Sequence, residues 1–381
     1  MPNPEAQPVP RARDFNIPFD GTPGPLNAIT DVAGVEIGFT TLIQDEGALQ
    51  QGKGPVRSGV TAVLPRGRHF DPVFAGWHAF NGNGEMTGTT WVEESGFLEG
   101  PLLLTNTGSI GAVHEAAAAW QIKHGLYAPL ASGAFWLLPV VAETYDGWLS
   151  DIHGFHIQAE HVFAALDGAA PGPVSEGNVG GGTGMICHGF KGGTGSASRR
   201  LPDELGGYTL GVLVQANHGQ RQDLRIAGVR VGQALADVPN PFSTRTADPI
   251  PPAAGDTGSI IAVIATDAPL LPHQLKRLAR RAPLGMARLG CSGGHYSGDI
   301  FLAFSTANPG AFQRQGVISA NMLSNDQMSP LFDAAVQCVE EAIVNALVAA
   351  RTMTGVDGHT VYALPHDRLR KLFAALPAAA N

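Results

Sequence analysis

The residues with the clearest capacity for chemistry lie in Gly255-Asp-Thr-Gly-Ser-Ile260, which runs straight into Ile261-Ala-Val-Ile-Ala-Thr-Asp267. Ile260 to Ala265 is a short, β-branched apolar run bounded by turn residues, and it predicts a fully buried strand. Ser259 stands between a glycine and the first residue of that strand. Gly258 leaves its carbonyl carbon unshielded by a side chain and accepts backbone geometry that other residues resist. Attack of the Ser259 hydroxyl on that carbonyl would give an ester, and hydrolysis of the ester would leave a new chain beginning at Ser259. The new terminus would carry a nucleophile and an α-amine on one residue. Such an amine titrates near neutrality, where a general base is useful.

The same pattern also has a plain reading. Thr-Gly-Ser-Ile occurs a second time, at 107–110, followed by Gly111-Ala-Val-His-Glu115 and an alanine run ending at Trp120. That composition is helical, so Ser109 is expected to be a helix cap. The tetrapeptide by itself therefore does not identify a nucleophile. A Ser-His-Asp set could be drawn from Ser259, His218 or His295, and Asp267, although nothing in the sequence places them together. The runs Gly180-Gly-Gly-Thr-Gly184 and Gly192-Gly-Thr-Gly-Ser196 lack the lysine of a phosphate loop and the spacing of a dinucleotide fingerprint, so they read as turns. His153, His156, Glu160 and His161 lack the helical i, i+4 pair of a zinc hydrolase, and Gly154 interrupts them. Neither a metal nor a cofactor is expected.

Several elements must position Ser259. Thr209 to His218 reads as a strand that ends in the polar side chains Asn217 and His218, and Ile300 to Phe304 as a buried strand after a polar, glycine-rich turn. Gly59 to Pro65 is another strand, Leu102 to Leu104 leads to the Ser109 helix, and the apolar run Phe135 to Ala142 enters Glu143-Thr-Tyr145. A helix should follow the Ser259 strand, capped by Thr266 or Asp267, with Leu275, Leu278 and Ala279 on one face and the basic run Lys276 to Arg281 mainly on the other. Ser329-Pro330 opens a long helix from about Leu331 to Ala350, with Ser329 as its cap. Residues 1–25 read as an arm, disordered or engaged in an oligomer contact. Short strands interspersed with helices predict an α/β architecture of layered sheets covered by helices.

Composition sets the outer bounds. Of 381 residues, 44% are hydrophobic and 15% charged, which suits one large domain or two small ones with an ample core. The net charge of −9 argues against nucleic acid or an anionic membrane as partner. Three cysteines without a pairing pattern fit a reducing compartment, and no apolar stretch is long enough for a membrane span. The proline-rich, polar N-terminus lacks the core of a signal peptide, so a cytoplasmic location is expected.

Segments along nearly the whole chain, in order, resemble the L-aminopeptidase/D-Ala-esterase/amidase and β-peptidyl aminopeptidase family of self-processing serine hydrolases. They are Asn27 to Val35, Asn81 to Gly88, Trp91 to Ser95, Glu143-Thr-Tyr145, Val214-Gln-Ala-Asn217, Thr257-Gly-Ser259 and Ser297-Gly-Asp299. The resemblance implies an αββα sandwich like that of the N-terminal-nucleophile hydrolases, formed by a single domain 1–381 cut between Gly258 and Ser259 into chains 1–258 and 259–381. It further implies Ser259 as nucleophile, Ser297 and Asp299 as its supporting pair, Asn217 as oxyanion donor, Tyr145 as an assistant, and Glu143 as partner of the substrate's free amino group. Family members often carry glutamate where this chain has Asp299, so the carboxylate here is one methylene shorter. The implied activity is release of N-terminal residues from short peptides, amides or esters through an acyl-Ser259 intermediate, by a homo-oligomer, specifically a tetramer. Two other readings stand beside it: a related self-cleaving acyltransferase, and an unprocessed binding subunit on the same fold.

Overall fold

The computed structural model describes residues 10–241 and 258–374. The strands, in chain order, are β1 (Glu36–Gln44), β2 (Val56–Arg68), β3 (Val73–Gly82), β4 (Phe97–Leu98), β5 (Leu102–Asn106), β6 (Val140–Thr144), β7 (Ile186–Cys187), β8 (Phe190–Lys191), β9 (Gly193–Arg200), β10 (Thr209–Asn217), β11 (Ser259–Thr266), β12 (Gly298–Ser305), β13 (Met353–Thr354) and β14 (Thr360–Val361). The helices are α1 (Thr89–Ser95), α2 (Ile110–Lys123), α3 (Ala159–Asp167), α4 (Val231–Ala234), α5 (Pro272–Ala279), α6 (Ala282–Arg288), α7 (Ser329–Ala349) and α8 (His366–Phe373). Two sheets dominate, one ordered β1-β2-β5-β6 and the other β4-β3-β12-β11-β10-β9.

The apolar runs explain the layering. Alternate residues of a strand face opposite sides of its sheet, so a strand covered on both sides must be apolar throughout. In β11, Ile261, Val263 and Ala265 join Leu102, Leu104, Val140 and Ala142 in a core between the two sheets. Ile260, Ala262 and Ile264 face the other way, into a core shared with α5, α6 and α7. Leu103 and Val141 likewise turn outward to meet Val113, Ala117 and Trp120 of α2 and Val162 and Leu166 of α3. The order of layers is therefore helix, sheet, sheet, helix. Each sheet contains one parallel pair, β5 with β6 and β11 with β12, and each pair is joined by a helical crossover.

The glycine-rich loops serve close packing. A Cβ on Gly195 would collide with the Ala342 carbonyl of α7, and one on Gly181 with Gln215 Oε1 and the Leu104 carbonyl. The helix expected after Asp267 starts only at Pro272, with Leu271 at its cap position. Thr266 Oγ1 instead donates to the Thr209 carbonyl, while Asp267 Oδ1 accepts from Thr209 N–H. Both side chains tie strand ends together and cap nothing. Ser109 does occupy the N-cap position of α2, but its side chain makes no capping hydrogen bond. Only Val140 onward of the Phe135 run is strand, and Phe135, Trp136 and Leu138 are exposed.

The arm reading fails for residues 10–25. Arg13 and Arg199 both pair with the buried Glu341 of α7, and Arg11 pairs with Glu176 while donating to the carbonyls of Leu26, Asn27 and Ser196. These residues are part of the domain. The first nine lie outside the described residues, as does the turn-rich segment that ends at Thr257. The three cysteines are buried and form no disulfide.

Candidate active site

Ser259 is the first residue of β11, at the end of the sandwich where several strands terminate together. Across the sheet it pairs with Asn217, the last residue of β10, and with Gly298, the first of β12. Gly298 in turn pairs with Gly82, the last residue of β3. On the facing sheet, β5 and β6 end at Asn106 and Thr144, which brings Glu143 to the same end.

One backbone donor addresses both partners of the bond between Gly258 and Ser259. Gly298 N–H lies 3.1 Å from Ser259 Oγ and 3.3 Å from the Gly258 carbonyl oxygen. Gly258 itself leaves no room for a side chain, because a Cβ there would collide with the Asn217 carbonyl and lie 2.7 Å from His218 Cα. The glycine is thus required by the close approach of two backbones.

Flanking Gly298, Ser297 Oγ donates to Asp299 Oδ1 at 2.7 Å, and the other carboxylate oxygen accepts from Asn81 Nδ2 at 3.2 Å. Ser297 and Asp299 are wholly buried, whereas Ser259 and Asn217 each retain 7% exposure. Nucleophile candidate and amide are therefore almost entirely buried, and the hydroxyl–carboxylate pair wholly so. Asn217 is fixed at both ends: Oδ1 accepts from Ile186 N–H at 2.7 Å and Nδ2 donates to the Tyr145 carbonyl at 3.2 Å. An amide locked in this way cannot flip, so its N–H groups point to one side only. Tyr145 meets Asn217 through its backbone carbonyl, and its ring is half exposed.

Glu143 is buried rather than solvated. Its Oε1 accepts from Glu85 N–H at 3.0 Å, and its Oε2 accepts from the Thr107 hydroxyl. Burial pushes the carboxyl above its ordinary range, and the two hydrogen bonds oppose that shift only in part. A Cβ on Gly84 would lie 3.2 Å from Gly298 Cα and 3.3 Å from Glu143 Oε1. One glycine's width thus separates the carboxylate from the strand position in register with Ser259.

The alternative constellations do not assemble. Asp267 follows the far end of the eight-residue β11, roughly 25 Å of extended chain from Ser259, so it cannot complete a triad there. His295 packs against Tyr296, and His218 is buried with Nδ1 4.0 Å from Cys187 Sγ. His156 Nε2 meets Asp151 at 2.9 Å, and His161 Nδ1 accepts from Gln158 N–H at the start of α3, so those histidines hold local structure. Among the described residues, the one histidine–cysteine group that does gather is Cys187, His188 and His218. There His188 Nδ1 bonds the Gln220 carbonyl, behind the Asn217 strand end.

Three contributors were not legible as such in the sequence. Gly298 acts through its backbone and carries no side-chain signal. Thr107 was visible only as part of the repeated tetrapeptide, and Asn81 only as part of a glycine-rich motif.

Comparison with known proteins identifies the family. The profile of peptidase family S58 matches residues 27–361. The β-peptidyl aminopeptidase BapA of Sphingosinicella microcystinivorans is 55% identical over 371 residues, covering 95% of this chain and 91% of the relative. The solved L-aminopeptidase D-Ala-esterase/amidase of Ochrobactrum anthropi is described as a prototype for the serine aminopeptidases and a variant of the Ntn hydrolase fold. It superposes with a TM-score of 0.87 at 50% identity, covering 96% of this chain and 98% of that one. A β-aminopeptidase of Burkholderia sp. gives a TM-score of 0.85 at 47% identity, with the same coverage of both chains. With the family's fold present and a buried Ser297–Asp299 pair close along the chain to Gly298, the strand partner of Ser259, the chain belongs to peptidase family S58 and is a serine-type aminopeptidase of the Ntn hydrolase fold.

Proposed function

We propose that the chain cuts itself between Gly258 and Ser259 and then uses Ser259 to release N-terminal residues from short peptides, amides or esters. The observation that carries this is the placement of one N–H donor, that of Gly298, against both Ser259 Oγ and the Gly258 carbonyl oxygen. In the first step Oγ attacks the Gly258 carbonyl carbon, and the peptide C–N bond breaks as its nitrogen takes up a proton. An ester is left beside the freed α-amine, and water hydrolyses it to the Gly258 carboxylate and the hydroxyl of Ser259. The products are chains of 258 and 123 residues, the second number being 381 less 258. They stay together because β11 is buried on both faces and paired on both edges.

In turnover, Ser259 Oγ attacks the substrate carbonyl, the leaving amine or alcohol departs with a proton, and water then hydrolyses the acyl-Ser259 ester to release the N-terminal residue as its acid and restore the hydroxyl. Asn217 donates to the developing oxyanion, and Ser297 and Asp299 hold the proton and the new amine of Ser259 in place. Tyr145 borders this position, and Glu143 pairs with the substrate's ammonium. A buried carboxylate can select a cation strongly, because little solvent screens the pair. Substrates with β-amino-acid or D-alanine residues fall within the proposal by kinship with the relatives named above. Parallel assays of an L-alanine amide, a β-amino-acid amide and their N-acetylated forms test it. The free amines should be hydrolysed and the acetylated forms ignored; equal rates for blocked and free substrates would remove Glu143 from its role.

The working unit is proposed to be a homo-oligomer, specifically a tetramer, in the cytoplasm. In support, Phe135, Trp136, Leu138, Val317, Ile318 and Met322 expose apolar surface on two loops that Arg314 joins by donating to the Ala128 carbonyl. No helix among the described residues is long and apolar enough to cross a membrane.

A further inference from the structure

We propose that Asn81 is a positioning residue for Asp299, placed opposite the carboxylate by a β-bulge in β3. This rests on the assignment of Asp299 to the supporting pair of Ser259. From its far end, the β3–β12 ladder runs in regular antiparallel register, from Ser305 opposite Phe74 to Ile300 opposite Ala79. Unbroken, it would set Phe80 opposite Asp299. The register instead shifts between Asp299 and Ile300, and Asn81 becomes the residue across from Asp299. Bulges re-aim a side chain by inserting one residue, and they are frequent beside active sites. Here the insertion sends Phe80 outward against Gly293, where it is 43% exposed, and substitutes an amide for an aromatic ring facing the carboxylate.

The amide spends both of its N–H groups. Asn81 Nδ2 lies 3.2 Å from Asp299 Oδ2 and 3.2 Å from the Gly294 carbonyl. That carbonyl also accepts from Ser297 N–H at 3.0 Å, and Ser297 Oγ donates to Asp299 Oδ1 at 2.7 Å. Asn81, Gly294, Ser297 and Asp299 therefore form a closed ring of hydrogen bonds. Within it the plane of the carboxylate is set from both oxygens. The same strand end is tied to the turn again by Asn83, whose Nδ2 donates to the Tyr296 carbonyl at 2.7 Å.

Two consequences follow from elementary electrostatics. A neutral donor on Oδ2 favours the ionised carboxylate, and it leaves Oδ1 committed to Ser297. Neither cross-strand neighbour of Asp299, Asn81 nor Ile260, is titratable, so the amide is the group from β3 that tunes it. Asn81 acts through Asp299, whose rotation or protonation would loosen Ser297 and the new amine of Ser259.

The test compares wild type with Asn81→Ala, Asn81→Asp and Asp299→Asn. It reads the rate of chain cleavage, kcat and KM per titrated active site, the pH–rate profile and the melting temperature. Loss of a hydrogen bond to a charged group predicts roughly a 10- to 100-fold fall in kcat for Asn81→Ala, with KM within about twofold. The acid limb of kcat should move up, because the Asp299 carboxylate loses a donor. Asn81→Asp keeps the side-chain shape and puts a second carboxyl across from Asp299, so its acid limb should rise further. Wild-type kcat and an unmoved acid limb in both Asn81 variants, with Asp299→Asn crippled, would overturn the inference alone. Full activity of Asp299→Asn would overturn the assignment beneath it, and the inference with it.

Discussion

The two Thr-Gly-Ser-Ile tetrapeptides, 107–110 and 257–260, have the same residues and different fates. Ser109 leads into a helix, and its hydroxyl is buried at the N-terminus of α2 without a capping contact. Ser259 leads into a strand whose partners end beside it, and its hydroxyl accepts from Gly298 N–H. The glycines are alike in their crowding: a Cβ on Gly258 would strike the Asn217 carbonyl oxygen, and one on Gly108 would lie 2.7 Å from that of Ile152. A serine after a glycine is therefore not what makes a nucleophile. On the proposed reading the register of β12 does, because Gly298 N–H is a donor to the hydroxyl and to the carbonyl at once. The first copy still contributes to the site at one remove, since its Thr107 hydroxyl holds Glu143.

The sharpest way to break the contrast is at the glycine. Gly258→Val should leave the chain uncut, whereas cleavage at the wild-type rate, followed on a denaturing gel, would show that the close approach to Asn217 does not matter. Next in size is Asn217→Ala, for which removal of an oxyanion donor predicts a kcat lower by roughly two to three orders of magnitude. Glu143→Gln should come third, lowering kcat/KM for free-amine substrates by about 10- to 100-fold and leaving ester-bond chemistry on Ser259 intact. Because burial raises the Glu143 carboxyl, its charge is present above that raised value and is lost as pH falls through it. The acid limb of kcat/KM should accordingly lie above the ordinary carboxyl range, and Glu143→Gln should remove its contribution. Thr107→Val takes away a donor to the same carboxylate, so it should raise that limb slightly and increase KM by several-fold. Smallest of all, Ser109→Ala should leave cleavage and turnover within about twofold, because the hydroxyl caps nothing.

Much of the scaffold was legible because β10, β11 and β12 are apolar on both faces, which only a strand inside a layered fold needs. The long helix α7 announced itself through Ser329-Pro330, although Ser329 is its first residue and Met328, not Ser329, holds the cap position. What the sequence hid depends on contacts distant along the chain. Arg13 reaches Glu341 across 328 positions, and no local pattern in residues 10–25 signals such a pairing. The cap expected at Thr266 or Asp267 went instead to β10, since an unpaired strand end competed for the same side chains. At the site, the order of motifs pointed to Ser259, Ser297, Asp299, Asn217 and Glu143. Asn81 escaped because a bulge, which has no sequence signature here beyond the neighbouring glycines, decides which residue faces Asp299.

The central claim is that Ser259 cuts the bond before it, and intact-mass measurement of the purified protein beside Ser259→Ala addresses it directly. Wild type should give two masses whose junction is Gly258/Ser259, and the variant a single chain of 39.7 kDa. One uncut chain in both would contradict self-processing, and cleavage at that bond in the Ser259→Ala chain would contradict Ser259 as the nucleophile.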